Sequence, residues 1–118
     1  TFGDALWFGQ KKSYILSGDV IMTTIAKILK PRLSLFVLDV DGVYSDFKTK
    51  RLIHDFKKEK PEITNNKMDD TGGMTRKITE ANNMAKGGLK VFFVNGKKPK
   101  RIGDAISGKR FEGTLFRK

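Results

Sequence analysis

A short stretch in the middle of the chain combines glycine, acid and base at a spacing that could hold a phosphate: Asp69-Asp70-Thr71-Gly72-Gly73-Met74-Thr75-Arg76-Lys77. Adjacent glycines let a backbone turn tightly and come close to a ligand. A helical pattern follows at once, with Met74, Ile78, Ala81 and Ala85 on one face and Lys77 one turn inside. The start of a helix offers unpaired N–H groups and partial positive charge, which suit an anion. A lysine there adds a point charge that can reach a phosphate. The plainer reading is a glycine turn capping an ordinary amphipathic helix.

Two further clusters could share that chemistry. Ser17-Gly18-Asp19 precedes a helical run, and the plain role for Asp19 is an N-cap. Asp39-Val40-Asp41-Gly42-Val43-Tyr44 is polar and glycine-bearing, and it follows the apolar run Leu33-Ser34-Leu35-Phe36-Val37-Leu38. Such a run reads as a strand buried on both faces. In open α/β sheets the carboxyl ends of such strands are where ligands bind.

The elements that must position these residues follow from periodicity and punctuation. Residues 1–8 read as an interrupted strand, and Ser13-Tyr14-Ile15-Leu16 as a second one after a turn at residues 9–12. Ile21, Ile25, Ile28 and Leu29 fall on one face of a helix that Pro31 ends. Residues 45–67 are polar and lysine-rich, and they predict a hairpin or lid with Leu52, Ile53 and Phe56 turned inward. Gly87-Gly88 closes the helix that carries Lys77. Leu89-Lys90-Val91-Phe92-Phe93-Val94 is a second buried strand, ended by Asn95-Gly96. Pro99 opens a short helix through Ile106, and Gly113-Thr114-Leu115-Phe116 forms a terminal strand. Strand and helix alternate, so the expected class is α/β with a mostly parallel sheet and right-handed crossovers, in a single domain over residues 1–118.

Composition narrows the partners. The chain has 118 residues, ordinary apolar content and no cysteine. Disulfides and thiolate metal sites are excluded, and the single His54 reads as a solvated loop residue. No apolar run approaches the ~20 residues needed to cross a bilayer. The start shows no charged and apolar leader pattern, so a cytoplasmic setting is expected. With 24 Lys+Arg against 13 Asp+Glu, the formal charge is +11. That balance suits nucleic acid. However, the basic residues are scattered and no RNA-binding or helix-turn-helix signature accompanies them. An anionic small ligand such as a nucleotide is the better expectation, within a longer and more acidic protein.

Taken in order, SGD (17–19), DVDGVY (39–44), DDTGGMTRK (69–77), VNGKKP (94–99) and EGT (112–114) resemble the carboxyl-terminal half of the amino acid kinase superfamily. Within it the run is most similar to the isopentenyl phosphate kinase family of archaeal type. Leu38 departs from the usual Thr, and Asp70 from the usual Val.

The resemblance implies a three-layer αβα sandwich and phosphoryl transfer from ATP, with Mg2+, to a phosphate acceptor. It implies that Lys77 neutralises charge on the transferring group and that Asp19 orients the catalytic lysines. Ser17 and Gly18 would lie beside the acceptor phosphate. Asp39, Val40, Asp41, Gly42, Val43 and Tyr44, with Gly72, Gly73 and Lys77, would line the ATP site, and no protein-held metal is expected. The implied acceptor is isopentenyl phosphate, and the implied full-length protein is a homodimer. The family's amino-terminal, acceptor-binding half has no counterpart here, so the chain is expected to be a fragment that is inactive alone.

One rival reading remains. VLDVDGVYSD also resembles the first motif of haloacid-dehalogenase-type phosphatases, with Asp39 as nucleophile, Asp41 as acid and Lys77 as the charge-neutralising lysine. That motif normally opens its domain, whereas here a strand, SGD and a helix precede it. Fosfomycin-resistance and uridylate kinases are the nearer alternatives for the acceptor.

Overall fold

The computed structural model describes residues 1–9, 12–61 and 73–118. Strands β1 (Asp4–Phe8) and β2 (Lys12–Leu16) form an antiparallel hairpin, with Ala5 opposite Ile15 and Leu6 opposite Tyr14. The hairpin pairs with no other strand among the described residues, and Trp7 and Ile15 stand exposed on it. Helix α1 (Gly18–Leu29) begins at Ser17, whose hydroxyl accepts the Asp19 N–H at 3.2 Å. It stops at Lys30, which adopts a left-handed φ of 48° just ahead of Pro31.

Strand β3 (Ser34–Leu38) follows, then a small antiparallel hairpin of β4 (Tyr44–Asp46) and β5 (Arg51–Leu52). The basic segment therefore holds a hairpin, with Ile53 and Phe56 buried and Leu52 half-buried, as the pattern predicts. Its last part, residues 62–67, lies outside the described residues. Helix α2 (Gly73–Lys86) comes next. It closes through Gly88, at φ 87°, while the Leu89 N–H bonds the Met84 carbonyl at 3.2 Å. Glycine suits that left-handed position because it carries no Cβ. Strand β6 (Val91–Asn95), helix α3 (Pro99–Ile106) and strand β7 (Thr114–Phe116) complete the chain.

The main sheet has the order β3-β6-β7. β3 and β6 are parallel, with Phe36 beside Phe93 and Leu38 beside Asn95, and α2 lies in the connection between them. β7 runs antiparallel to β6, so only half of this sheet is parallel. The segment 107–113 is long enough to carry the chain back along the eight-residue α3, which is about 12 Å long. The chain thus enters β7 from the end at which β6 stops.

Pleating sends Val91 and Phe93 to one face and Phe92 and Val94 to the other. On the first face α1 and α2 pack on each other and α2 packs on β6 and β7, around Ala26, Ala81, Met84 and Ala85. A row of rings crosses this core: Phe36–Phe93 at 5.2 Å, Phe93–Phe116 at 4.6 Å and Phe116–Phe56 at 4.7 Å between centroids. On the second face Phe92 meets Phe111 at 4.9 Å, α3 packs on β6, and Val94 is fully buried. Helices therefore flank the mixed sheet in three layers.

Helix α1 buries a face other than the one that carries Ile25, Ile28 and Leu29. Thr23 and Ala26 are buried and Met22 packs on the core, whereas Ile25, Ile28 and Leu29 are exposed. Small residues allow α1 to approach Ala81 and Ala85 of α2, which the branched stripe would block. That stripe, 74% exposed at Ile28, points away from the core, and Val37 on β3 is also 55% exposed. The outer edge of β3 has no strand partner among the described residues. No helix there is long and apolar enough to cross a membrane.

Candidate active site

Topology gathers the predicted residues at one edge. α1 runs into β3 and α2 runs into β6, so both helices begin at the edge where the two parallel strands end. Ser17-Gly18-Asp19, Gly73 with Lys77, residues 39–44 and residues 95–98 all belong to that edge.

The centre of the site is an ion pair between the two helix starts. Lys77 Nζ lies 2.8 Å from Asp19 Oδ1 and 2.9 Å from Oδ2, joining residues 58 apart in sequence. The Asp19 side chain is 14% exposed and that of Lys77 is 31% exposed. The carboxylate is thus mostly enclosed while the ammonium keeps a solvent-facing side. Asp19 is not the N-cap: Ser17 takes that role and leaves the carboxylate for Lys77. A lysine held this way presents fixed positive charge beside two sets of helix N–H groups. Such an arrangement can stabilise negative charge that develops on a transferring group.

Gly18 is closely overlaid by the first residues of the chain. A Cβ there would lie 3.1 Å from the Gly3 nitrogen and 3.2 Å from the Thr1 carbonyl oxygen. The Thr1 hydroxyl also donates to the Gly18 carbonyl at 3.2 Å. Gly73 opens α2 and is exposed, with open space where a Cβ would stand. Gly72 lies outside the described residues.

The loop 39–44 divides its side chains between core and surface. Asp39 is exposed at the end of β3, Val40 packs against the core and Val43 is buried in it. Gly42 is pressed against Thr114, where a Cβ would lie 2.4 Å from the hydroxyl oxygen. That hydroxyl accepts the Val43 N–H at 2.9 Å and donates to the Ile53 carbonyl at 2.7 Å. Glycine at position 42 therefore serves the fit of loop to sheet. Tyr44 is half-buried, and its ring meets Phe47 edge-on at 6.1 Å.

Asp41 faces α3. Its Oδ1 accepts from the Asn95 amide at 2.9 Å and from the Arg101 guanidinium, and Lys98 Nζ stands 3.6 Å away. The Asn95 hydrogen bond holds the Asp41 carboxyl below its ordinary range, reinforced by Arg101 and Lys98 and only partly opposed by burial. A carboxyl held in its ionised form is poorly suited to donate a proton. The acid expected of the phosphatase reading is thus occupied, and Lys77 is committed to Asp19 rather than to Asp39. Among the described residues no group of three or more Asp, Glu and His side chains could hold a metal ion. Asn95, Lys98, Arg101 and Thr114 were not among the expected site residues. The VNGKKP and EGT motifs contained three of them, but only distance in three dimensions shows what they hold.

A chain with this edge and this order of elements is a member of a kinase family. Residues 7–95 match the Amino acid kinase family, and the chain belongs to it. In particular, it is similar to isopentenyl phosphate kinase from Thermoplasma acidophilum, with 36% identity over 126 residues that span 99% of this chain and 49% of that protein. Delta-1-pyrroline-5-carboxylate synthase B of Arabidopsis thaliana is 36% identical over 105 residues, or 83% of this chain and 14% of that protein. The crystal structure of the T. acidophilum isopentenyl phosphate kinase product complex matches with a TM-score of 0.73 at 31% identity, covering 98% of this chain and 46% of that one. A further X-ray structure of isopentenyl phosphate kinase matches at 0.72 and 27% identity, over 96% of this chain and 43% of that one. The chain thus spans about half the length of the isopentenyl phosphate kinases it matches.

Proposed function

We propose that this chain supplies the ATP-binding half of a kinase whose acceptor is a phosphate monoester, isopentenyl phosphate. The observation that carries this reading is the Lys77–Asp19 pair, set between two helix starts at the carboxyl edge of the parallel strands. The triphosphate would lie across Gly73 and Lys77, with the nucleoside along residues 39–44. Mg2+ would enter with ATP, needing few protein ligands, and would supply charge neutralisation to the phosphates.

The chemistry asks little more of these residues. A phosphate monoester is already anionic, so no general base is required. Lys77 neutralises charge on the transferring group, and Asp19 fixes the ammonium without surrendering it. The likeness to isopentenyl phosphate kinases, of which this chain spans about half the length, supports the choice of acceptor. The complete kinase would act as a homodimer.

Calorimetry of this chain with ATP and a non-hydrolysable analogue tests the nucleotide site. One-to-one binding is expected, and a folded sample that binds neither removes the reading. A longer enzyme that includes the acceptor half tests the acceptor. Offered isopentenyl phosphate, fosfomycin, UMP and carbamate side by side, it should show its highest kcat/KM with the first.

A further inference from the structure

The carboxylate of Asp41 is the most heavily engaged at the candidate nucleotide edge. Its Oδ1 receives the Asn95 amide, the Arg101 guanidinium and, more distantly, the Lys98 ammonium. Asn95 is itself used at both ends, since its Oδ1 accepts the Lys97 N–H at 2.9 Å. Beside it the Gly96 N–H bonds the Leu38 carbonyl at 2.7 Å. The ends of β3 and β6 are therefore clasped by backbone and side chain together. Arg101 adds a cross-link from α3 to a loop 60 residues earlier, and its side chain is only 18% exposed.

From this geometry we infer that Arg101 is a positioning residue for nucleotide binding: through Asp41 it fixes the loop 39–44 in the shape that receives the nucleoside. The inference rests on the ATP-site reading above and extends it. Thr114 secures the far end of the same loop at the Val43 N–H, and Asp41 supplies the charged side-chain attachment nearer its start. Charge points the same way. One carboxylate faces two cations, and Lys98, 53% exposed and 3.6 Å away, is the looser of the two. The rim stays net positive toward an anionic ligand. Arg101 is nearly enclosed and already bonded, so it acts on the ligand only through the loop. A flexible amine of equal charge replaces its planar guanidinium only in part.

The test compares ATP with inorganic tripolyphosphate as calorimetric ligands of this chain. Tripolyphosphate probes the Lys77 region without the nucleoside. Arg101→Gln should weaken ATP at least about tenfold, as for the loss of one charge-assisted hydrogen bond, and leave tripolyphosphate unchanged. Arg101→Lys should recover part of the loss, and Asp41→Asn should reproduce it without adding to Arg101→Gln. Melting curves accompany each variant, and Asp41→Asn keeps the inference testable if Arg101→Gln does not fold. Equal losses for both ligands, or no loss of ATP affinity in either variant, would overturn the role of Arg101 while the ATP site stands. A wild-type chain that binds tripolyphosphate but not ATP, or neither, removes the ATP-site reading and this inference with it.

Discussion

Lys77 and Asp19 meet in a two-oxygen ion pair at 2.8 and 2.9 Å, although they lie near the starts of two different helices and 58 residues separate them. The consequence is testable in a longer, active kinase that carries this chain. Lys77→Ala should lower kcat by about 100-fold or more, as for removal of one preorganised electrostatic stabiliser. Asp19→Asn should lower kcat more than it weakens ATP, because it releases the ammonium without removing it. Steady-state kinetics with ATP varied at saturating acceptor measures both.

Acid should destabilise the fold through two carboxylates. Asp41 is held below its ordinary pKa of 3.8, chiefly by Asn95. Asp55 is also lowered: its burial acts to raise it, but Arg117, at 2.8 Å and 3.0 Å, and the Lys57 N–H outweigh that. A group whose folded pKa is depressed contributes stability above its unfolded value and loses it as pH falls through the folded one. Urea midpoints should therefore be steady from neutral pH down to the ordinary carboxylate range and fall below it. Asp55→Asn should flatten that decline.

Thr114 and Gly42 should behave as a coupled pair. Thr114→Val removes a hydroxyl that serves Val43 and Ile53, leaving a buried N–H and carbonyl unsatisfied, at about 1–3 kcal/mol for such a group. Gly42→Ala places a methyl 2.4 Å from the same hydroxyl oxygen. The double variant Gly42→Ala with Thr114→Ala should be less destabilised than the sum of its single changes, since the clash disappears with the hydroxyl. Denaturant titration of the four proteins in the cycle gives the coupling.

The aromatic row fixes the core. Phe93 is fully buried between Phe36 and Phe116. Phe93→Ala should cost about 3–5 kcal/mol, the range for a large aromatic-to-alanine change in a core. Phe93→Leu should cost less, and the difference reads directly from unfolding midpoints.

Much of this was legible in residue order. The α2 face of Ala81 and Ala85, the Gly87-Gly88 stop, the span of α3 and the two buried strands follow from period and punctuation. Their positions then dictate that Lys77 and Asp19 share an edge. The buried stripe of α1 was not legible, because that helix has two apolar-compatible faces. Helix-to-helix approach selects the one with Thr23 and Ala26, a choice made by the partner rather than by the pattern. The partners of Asp41 and Thr114 were hidden for a similar reason. They are joined across 54 to 71 residues, and no local spacing encodes such a pairing.

The β3 edge that has no strand partner among the described residues, and the exposed stripe of Ile25, Ile28 and Leu29, bear on how the chain behaves as a material. An open strand edge is a template for another strand, and a neighbouring oily stripe favours whatever docks there. Against this stands a charge of +11, which keeps copies apart when counterions are scarce. Salt should tip the balance: as ionic strength rises the repulsion is screened while the adhesive seam remains. Dilute, low-salt buffer is thus where this polypeptide should stay dispersed, and light scattering should climb steeply with added salt unless a complementary strand is supplied to close the seam.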